Sequence, residues 1–549
     1  MKLLTYFHTL KYLKSSQIYF RIRRRFIHPK PHYVVGRQSK KNGEWVGHAL
    51  YEQKLFDKSH VRFLNQDGVI KFSSDWNNDS HEKLWLYNLH YFDDLAGIGS
   101  DSRAELQLDF IQEWIKNNPA PSGNGWEPYP TSLRIVNWVK AFLSGLPTDD
   151  LILNSLAQQS DFLSQDLERH LLGNHLFVNS KALIFSGVYF EGKEAEGWLA
   201  LGFEIYNKEL DEQVLADGGN FELTPMYHLI MLVDLLDLIN LFNAFPDKVD
   251  EANVLKTKAV AIRMLEWLKI MSHNDGEISF FNDSCFGIAP ETTRVFEYAK
   301  RLGLENLKQR DIYPDTIELH DLQNSGYVSV KSQEYSLIAD LSPIGPDYIP
   351  GHAHADTLSF EFSLGSQRVF VNSGISEYGI SEERLRQRKT PSHNTVSVNS
   401  LDSSQVWSGF RVAKRARVSQ RIVGKVFKNK VTFGAAHDGF KKQGVNCVHS
   451  RTWQASEGVI SLVDKLNGNF EMAIGYFHLH PDVELISVNN SEVKLQTDEY
   501  ILALDISGAE ISVIDTTWHP QFGMSIDNKK LELKFLTDSI SVEITWCKK

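Results

Sequence analysis

The sequence predicts a protein in two parts, helices first and antiparallel strands second. From about Trp85 to Leu302, apolar residues recur at i, i+3, i+4 and i+7, which gathers them on one face of a helix. From about Tyr327 onward the period is two, the spacing of half-buried strands. The change occurs once. A single switch means segregated domains, because an interleaved α/β fold would alternate the two patterns along the whole chain.

Residues 1–80 form an extension. "MKLLTYFHTLKYLKSSQIYFRIRRRF" has apolar runs broken by His8, Lys11 and Lys14, so it lacks the continuous core of a secretory signal. Its aromatic and basic stretch, Ser16 to Ile27, reads as a helix docked on the body with its arginines in solvent. Peripheral association with an anionic membrane surface is the alternative. Residues 81–310 carry the helical pattern. "TSLRIVNWVKAFLSG", "LILNSLAQQSDFLSQDLERHL", "TPMYHLIMLVDLLDLINLF" and "VLKTKAVAIRMLEWLKIM" are its clearest helices, with start signals at Pro130-Thr131 and Thr224-Pro225. Short polar links make them antiparallel hairpins packed in series. "LENLKQRDIYPDTIELHDLQ" reads as a linker. Residues 311–549 then alternate through "YVSVKS", "YSLIADL", "LSFEFSL", "RVFVNSG" and "NTVSVNS" to "ISVEITW".

Bulk properties exclude several classes. The net charge of −11 argues against general nucleic-acid binding, which needs a basic face. Cys285, Cys447 and Cys547 are far apart and form no CxxC, which leaves neither a disulfide framework nor a thiolate zinc site. No uninterrupted apolar stretch is long enough to span a bilayer, and no Gly-rich phosphate loop occurs.

Four stretches carry chemistry-bearing residues. "GHAHAD" places His352 and His354 two apart, on one face if the segment is extended. "TPSHNTVSV" puts His393 before a strand. "ERHLLGNHLFVNSKAL" puts Asn174 and His175 at a helix start, and "DGGNFELTPMYHLIML" puts Glu222, Tyr227 and His228 around another. Each alone is weak, since a polar residue at a helix start is more often a cap than a catalyst.

Together with "GWEPYPTSLRIVNWV" and "EERLRQRKTPSHNTVSVNSLDSSQVWSGFRVAKRAR", these stretches make the chain resemble the heparinase II/III-like polysaccharide lyases, in particular members from exopolysaccharide and O-antigen clusters. The resemblance implies an α/α toroid (an incomplete barrel) followed by an antiparallel β-sandwich. It also implies β-elimination at a uronic acid: loss of the C5 proton, departure of the C4 oxygen, and stabilisation of an enolate-like intermediate. Carried over by residue, Asn174 and His175 face the substrate carboxylate, and Tyr227 and His352 transfer protons. A tyrosine acting as the base needs its pKa lowered by nearby cations. His354, His393 and Asn372 stand at a metal site for one structural divalent ion (zinc, calcium or manganese). Asn372 stands where the family usually has an aspartate, which weakens such a site. No organic cofactor is implied. Asp356 is expected to orient a loop or an imidazole.

Arg134, Tyr129 and Glu222 on the helical side, and Arg388 and Arg411 on the strand side, are the candidates for binding an acidic polysaccharide or oligosaccharide, since arginine suits carboxylate and sulfate. Arg384, Arg386, Lys389, Lys414, Arg415 and Arg417 lie nearby, about half of them expected on a solvated strand face. Tyr87 and Trp126 are aromatics that can stack on sugars. The leading expectation is a carbon–oxygen lyase acting on a uronate-containing bacterial glycan. A uronyl C5-epimerase and a non-catalytic glycan-binding protein are the alternatives. The missing export signal favours a cytoplasmic or cytoplasmic-membrane-face location over a periplasmic one.

Overall fold

The computed structural model describes residues 2–304 and 316–549. The helices, in order, are α1 (Lys2–Leu10), α2 (Ser15–Phe26), α3 (Lys83–Tyr91), α4 (Ala104–Asn117), α5 (Pro128–Leu143), α6 (Asp150–Gln165), α7 (Gly173–Tyr189), α8 (Lys193–Gln213), α9 (Pro225–Ala244), α10 (Glu251–Met271) and α11 (Thr292–Arg301). Short connections join them into antiparallel hairpins around one apolar core that includes Trp114, Trp138, Phe185, Leu235 and Leu265. Helix α5 begins two residues before the expected Pro130, at Pro128, whose missing N–H costs nothing in a first turn. Helix α9 begins where expected, with Thr224 Oγ1 accepting from Tyr227 N–H at 2.9 Å.

Helix α9 is the most apolar of these helices. By length and composition it is apolar enough to cross a bilayer, yet 89% of its apolar window is buried inside the protein. It is the central helix of the helical domain. Its two acids are neutralised there: Lys181 Nζ lies 2.7 Å from both Asp234 and Asp237, and Lys140 Nζ 2.9 Å from Asp237. A buried charge keeps its ionised form only when paired in this way.

Residues 305–315, which hold the expected 310/311 domain boundary and much of the linker, lie outside the described residues. Strand β1 (His60–Phe63) and β2 (Gln66–Val69) form a hairpin in the extension. The strand domain opens with a five-stranded antiparallel meander: β3 (Glu318–Leu322), β4 (Tyr327–Lys331), β5 (Tyr335–Asp340), β6 (Phe360–Leu364) and β7 (Gln367–Phe370). β3 thus occupies the end of the expected linker. After the short helix α12 (Glu382–Arg388), a two-stranded pair (Val406–Trp407 with Arg411–Val412) leads into an eight-stranded and a four-stranded antiparallel sheet, which complete the sandwich.

The meander is the middle layer. Val328, Val330, Leu337 and Ala339 point into the sandwich core. Tyr327 and Ile338 point the other way and pack with Trp267 and Met271 of α10. Strands buried on both faces lose the polar half of the alternation, and β4, β5 and β6 are buried at every position. The segment between α10 and α11 is threaded through this seam. His273 Nε2 meets Glu361 at 2.9 Å, and Arg368 meets Asp275 at 2.7 Å.

Candidate active site

The threaded segment brings Asp283 to "GHAHAD". Asp283 is fully buried, and Arg384 of α12 grips both of its oxygens at 2.5 and 2.6 Å. His352 Nδ1 lies 2.8 Å from Oδ2, and His354 Nε2 2.7 Å from Oδ1. Burial opposes charge on Asp283, but Arg384 and the two imidazoles outweigh it and hold its pKa well below the carboxylate range. A charged carboxylate only accepts. His352 therefore carries a proton on Nδ1, and in the neutral ring this tautomer leaves the lone pair on Nε2. Asp356 accepts from Asn282 N–H at 3.0 Å, which pins the residue beside Asp283.

His352 is partly exposed, and Tyr227 lies against it. Their ring centroids are 4.0 Å apart, inclined by 30°. Tyr378 completes the group: its hydroxyl is 3.1 Å from the Tyr227 hydroxyl, and its ring is 5.8 Å from that of His352. Burial is the main cause, and Tyr129 adds to it, in raising the Tyr227 pKa well above the usual value for a phenol. A tyrosine base needs the opposite shift, whereas here burial favours the protonated phenol. Its hydroxyl meets that of Tyr378, and the nearby arginine, Arg384, is spent on Asp283.

The opposite wall comes from the start of α7. Leu172 and Gly173 both take positive φ, 66° and 56°, turning the chain sharply into the helix. Glycine takes the φ of 56° at Gly173 without strain, and a Cβ there would push aside Ile349 Cδ1, which would lie 2.8 Å away. Asn174 Nδ2 donates to the Tyr129 hydroxyl at 3.0 Å. His175 Nδ1 lies 3.0 Å from Glu168, and its ring is 4.6 Å from that of Tyr129. Burial works against charge on His175, but Glu168 prevails and raises its pKa. Glu222 is buried below the cleft with Oε2 3.8 Å from His352 Nε2 and no hydrogen-bond partner for that oxygen. Burial raises its pKa.

Other expected site residues are elsewhere. Arg134 is wholly buried in the helical core, stacked 3.8 Å from the Trp114 ring and bonded to Gln159 at 2.8 Å, so it does not line the cleft. Trp126 is core as well. Tyr87 bonds Glu127. Arg388 is also fully buried; it donates to the Ala353 carbonyl at 2.9 Å and so braces the HxH loop from behind. Arg384 to Arg388 form a helix, not a strand face, because Ser381 caps them by accepting from Arg384 N–H. Arg411 is exposed beside Trp407.

The expected metal donors form a chain and do not converge. His354 Nδ1 and His393 Nε2 lie 3.2 Å apart, a hydrogen-bond distance. Asn372 Oδ1 lies 3.3 Å from Nδ1, the far nitrogen of His393. Two imidazoles with the amide behind one of them do not fit a three-donor site, and no carboxylate adds charge. Among the described residues no group of three or more His, Cys, Asp or Glu is arranged to hold a metal ion.

Asp283, Tyr378 and Glu168 are absent from the sequence-derived site. Glu168 sits in the quoted "ERHLLGNH". Asp283 sits in "FFNDSCFG", where a polar triplet interrupts an apolar run, and that was the available signal.

A helical domain followed by an antiparallel sandwich, with a Tyr–His cleft at their seam, agrees with the family comparison. Residues 8–301 match the model described as Heparinase II/III N-terminus, and residues 314–546 match Heparinase II/III-like, C-terminal. The chain belongs to the heparinase II/III family. It is 25% identical over 433 residues to a heparin-sulfate lyase of Bacteroides stercoris, covering 65% of this chain and 61% of that one. It is 24% identical over 524 residues to a heparin-sulfate lyase of Bacteroides thetaiotaomicron, covering 82% and 67%. The chain thus spans about three-fifths of the length of the first of these relatives. The crystal structure of heparinase III superposes with a TM-score of 0.69 at 16% identity, over 89% of this chain and 80% of that one, which establishes the shared fold.

Proposed function

We propose that this protein is a polysaccharide lyase that cleaves a uronate-containing acidic glycan by β-elimination. The observation that carries the proposal is the packing of Tyr227 against His352, 4.0 Å between ring centroids, with His352 oriented by Asp283 at 2.8 Å. Nε2 of His352 takes the C5 proton. The Tyr227 phenol, a donor at rest, gives its proton to the departing C4 oxygen and is restored through the Tyr378 hydroxyl. Asn174 and the imidazolium of His175 face the substrate carboxylate and lower the cost of the enolate-like intermediate. No step runs through a metal. The same packing speaks against the epimerase alternative. A sugar ring held between two proton carriers needs them roughly 7 Å apart or more, about twice a van der Waals contact, whereas these two are in contact with each other.

The test is ultraviolet absorbance of the unsaturated uronate product over a panel of acidic glycans, for the wild type, Tyr227→Phe and His352→Ala. A rise in the wild type, abolished in both variants, supports the lyase. Deuterium entering C5 in heavy water without chain cleavage would overturn it in favour of epimerisation.

A further inference from the structure

The N-terminal helices have no part in the proposed chemistry, yet they carry an unusual surface. Twelve large hydrophobic side chains between Leu3 and Val35 are exposed, out of thirty-one such side chains in all the described residues. That concentration in one short segment marks an interaction surface. On α2, Ile18, Ile22 and Phe26 fall at i, i+4 and i+8, so they share one face, with Tyr19 beside them; all four are exposed. Gln17 and Arg24, seven apart, mark the opposite face, which is docked. Arg24 meets Asp166 and His170 at 3.1 Å each, and Gln17 is buried. Arg21 and Arg25 border the apolar face on one side and Arg23 on the other, and all three are exposed. Leu3, Leu4, Phe7 and Leu10 of α1 are exposed as well.

The pair is fastened to both domains. Tyr6 packs edge-on against Trp407 at 5.1 Å, Thr9 Oγ1 accepts from Trp407 Nε1 at 3.1 Å, and Arg415 lies 3.8 Å over the Tyr12 ring. Lys14 pairs with Glu212 and sits 3.7 Å over the Tyr348 ring. The helices are therefore rigidly placed, with their apolar side turned outward.

We propose that α1 and α2 dock this protein on an anionic lipid bilayer, with Ile18, Ile22, Phe26 and the α1 apolar residues entering the acyl boundary and Arg21, Arg23 and Arg25 reaching lipid phosphates. Charge chooses this occupant. The chain as a whole carries −11, so attraction to an acidic surface has to come from a local patch such as this one. A second copy of the chain packed isologously would set these arginines against themselves. A bilayer takes apolar face and flanking arginines together, because long basic side chains reach up to the headgroups while their stems stay in the apolar layer. Tyr348 and Leu171, next to the docked face of α2, lie four residues before His352 and three before Asn174, so the tether holds both walls of the cleft.

The test is co-sedimentation of the full chain with vesicles of phosphatidylglycerol and phosphatidylcholine, against phosphatidylcholine alone. The expected result is partition onto the anionic vesicles, weakened by salt. Replacing Arg21, Arg23 and Arg25 by serine should lower it about a hundredfold. The triple change Ile18→Glu, Ile22→Glu, Phe26→Glu should abolish it with an unchanged melting temperature, since these side chains touch solvent. Absence of partition at low salt, or equal partition by wild type and the glutamate variant, overturns the proposal. So does a dimer in light scattering that the glutamate variant dissolves, which would assign the face to self-association.

Discussion

Asp283 accepts from His352 at 2.8 Å across 69 residues of chain, and with its other oxygen it meets His354 at 2.7 Å. One buried carboxylate thus sets the tautomer of both histidines of the HxH motif, and Arg384 keeps that carboxylate charged. The first prediction concerns this group. Asp283→Asn keeps the shape and removes the charge. We expect kcat to fall about 10²- to 10⁴-fold with KM little changed, as when a catalytic imidazole loses its orienting carboxylate. Stability should fall by about 3–5 kcal/mol, because Arg384 is left buried without a counter-charge. Adding Arg384→Met should restore part of the melting temperature but none of kcat. An unchanged kcat in Asp283→Asn would show that His352 needs no fixed tautomer.

Tyr227→Phe keeps the ring packed on His352 and deletes one hydroxyl. The Tyr378 hydroxyl loses its partner, which costs about 1 kcal/mol. Turnover should drop about 10²- to 10⁴-fold, the usual worth of a positioned proton donor. Steady-state kinetics beside a thermal melt separates the two effects.

The proposed role of His175 at the substrate carboxylate predicts that substrate affinity depends on pH. The folded-state pKa of His175 is raised, so its charged form is favoured. Its help to binding, and to stability, is fully present below the ordinary histidine pKa and is lost as pH rises through the raised value. KM should therefore climb on the alkaline side. In Glu168→Gln the climb should begin at lower pH. A KM–pH profile that is the same in both proteins would remove His175 from carboxylate recognition.

Exhaustive chelation should leave kcat and the melting temperature unchanged, because His393 Nε2 donates to His354 Nδ1 while Asn372 Oδ1 lies at the far nitrogen of His393, so the three do not converge on one point. Metal analysis of the purified protein should find far less than one ion per chain. A stoichiometric ion, with a melting temperature that falls on its removal, would contradict this.

The change of period near the middle of the chain was enough to read helices before strands, since periodicity follows directly from which side chains are buried. Tyr227, His352, Asn174 and His175 could be singled out together because each sits at a local signal (a Thr-Pro helix start, an HxH turn, a Gly at a helix entry) and the four stretches share one family resemblance. The α9 helix also falls in the helical domain as its pattern implies, although a helix buried all round has the composition of a membrane span and only its neighbours tell the two apart. Arg134 and Arg388 looked like substrate ligands because sequence shows charge and not direction; burial turned one into a core stack and the other into a brace for the Ala353 carbonyl.

Sequence alone determined the order of the two domains, the residues that the family resemblance nominates for the site, and the basic, apolar character of the N-terminal helices. Only the tertiary structure decided that Asp283 holds both histidines, that Tyr227 packs against His352, and which face of α2 is left open. These depend on contacts between distant segments and on the loss of solvent around them. Burial and neighbouring charge set a pKa and a tautomer, and neither is a property of a residue or of its spacing in the chain.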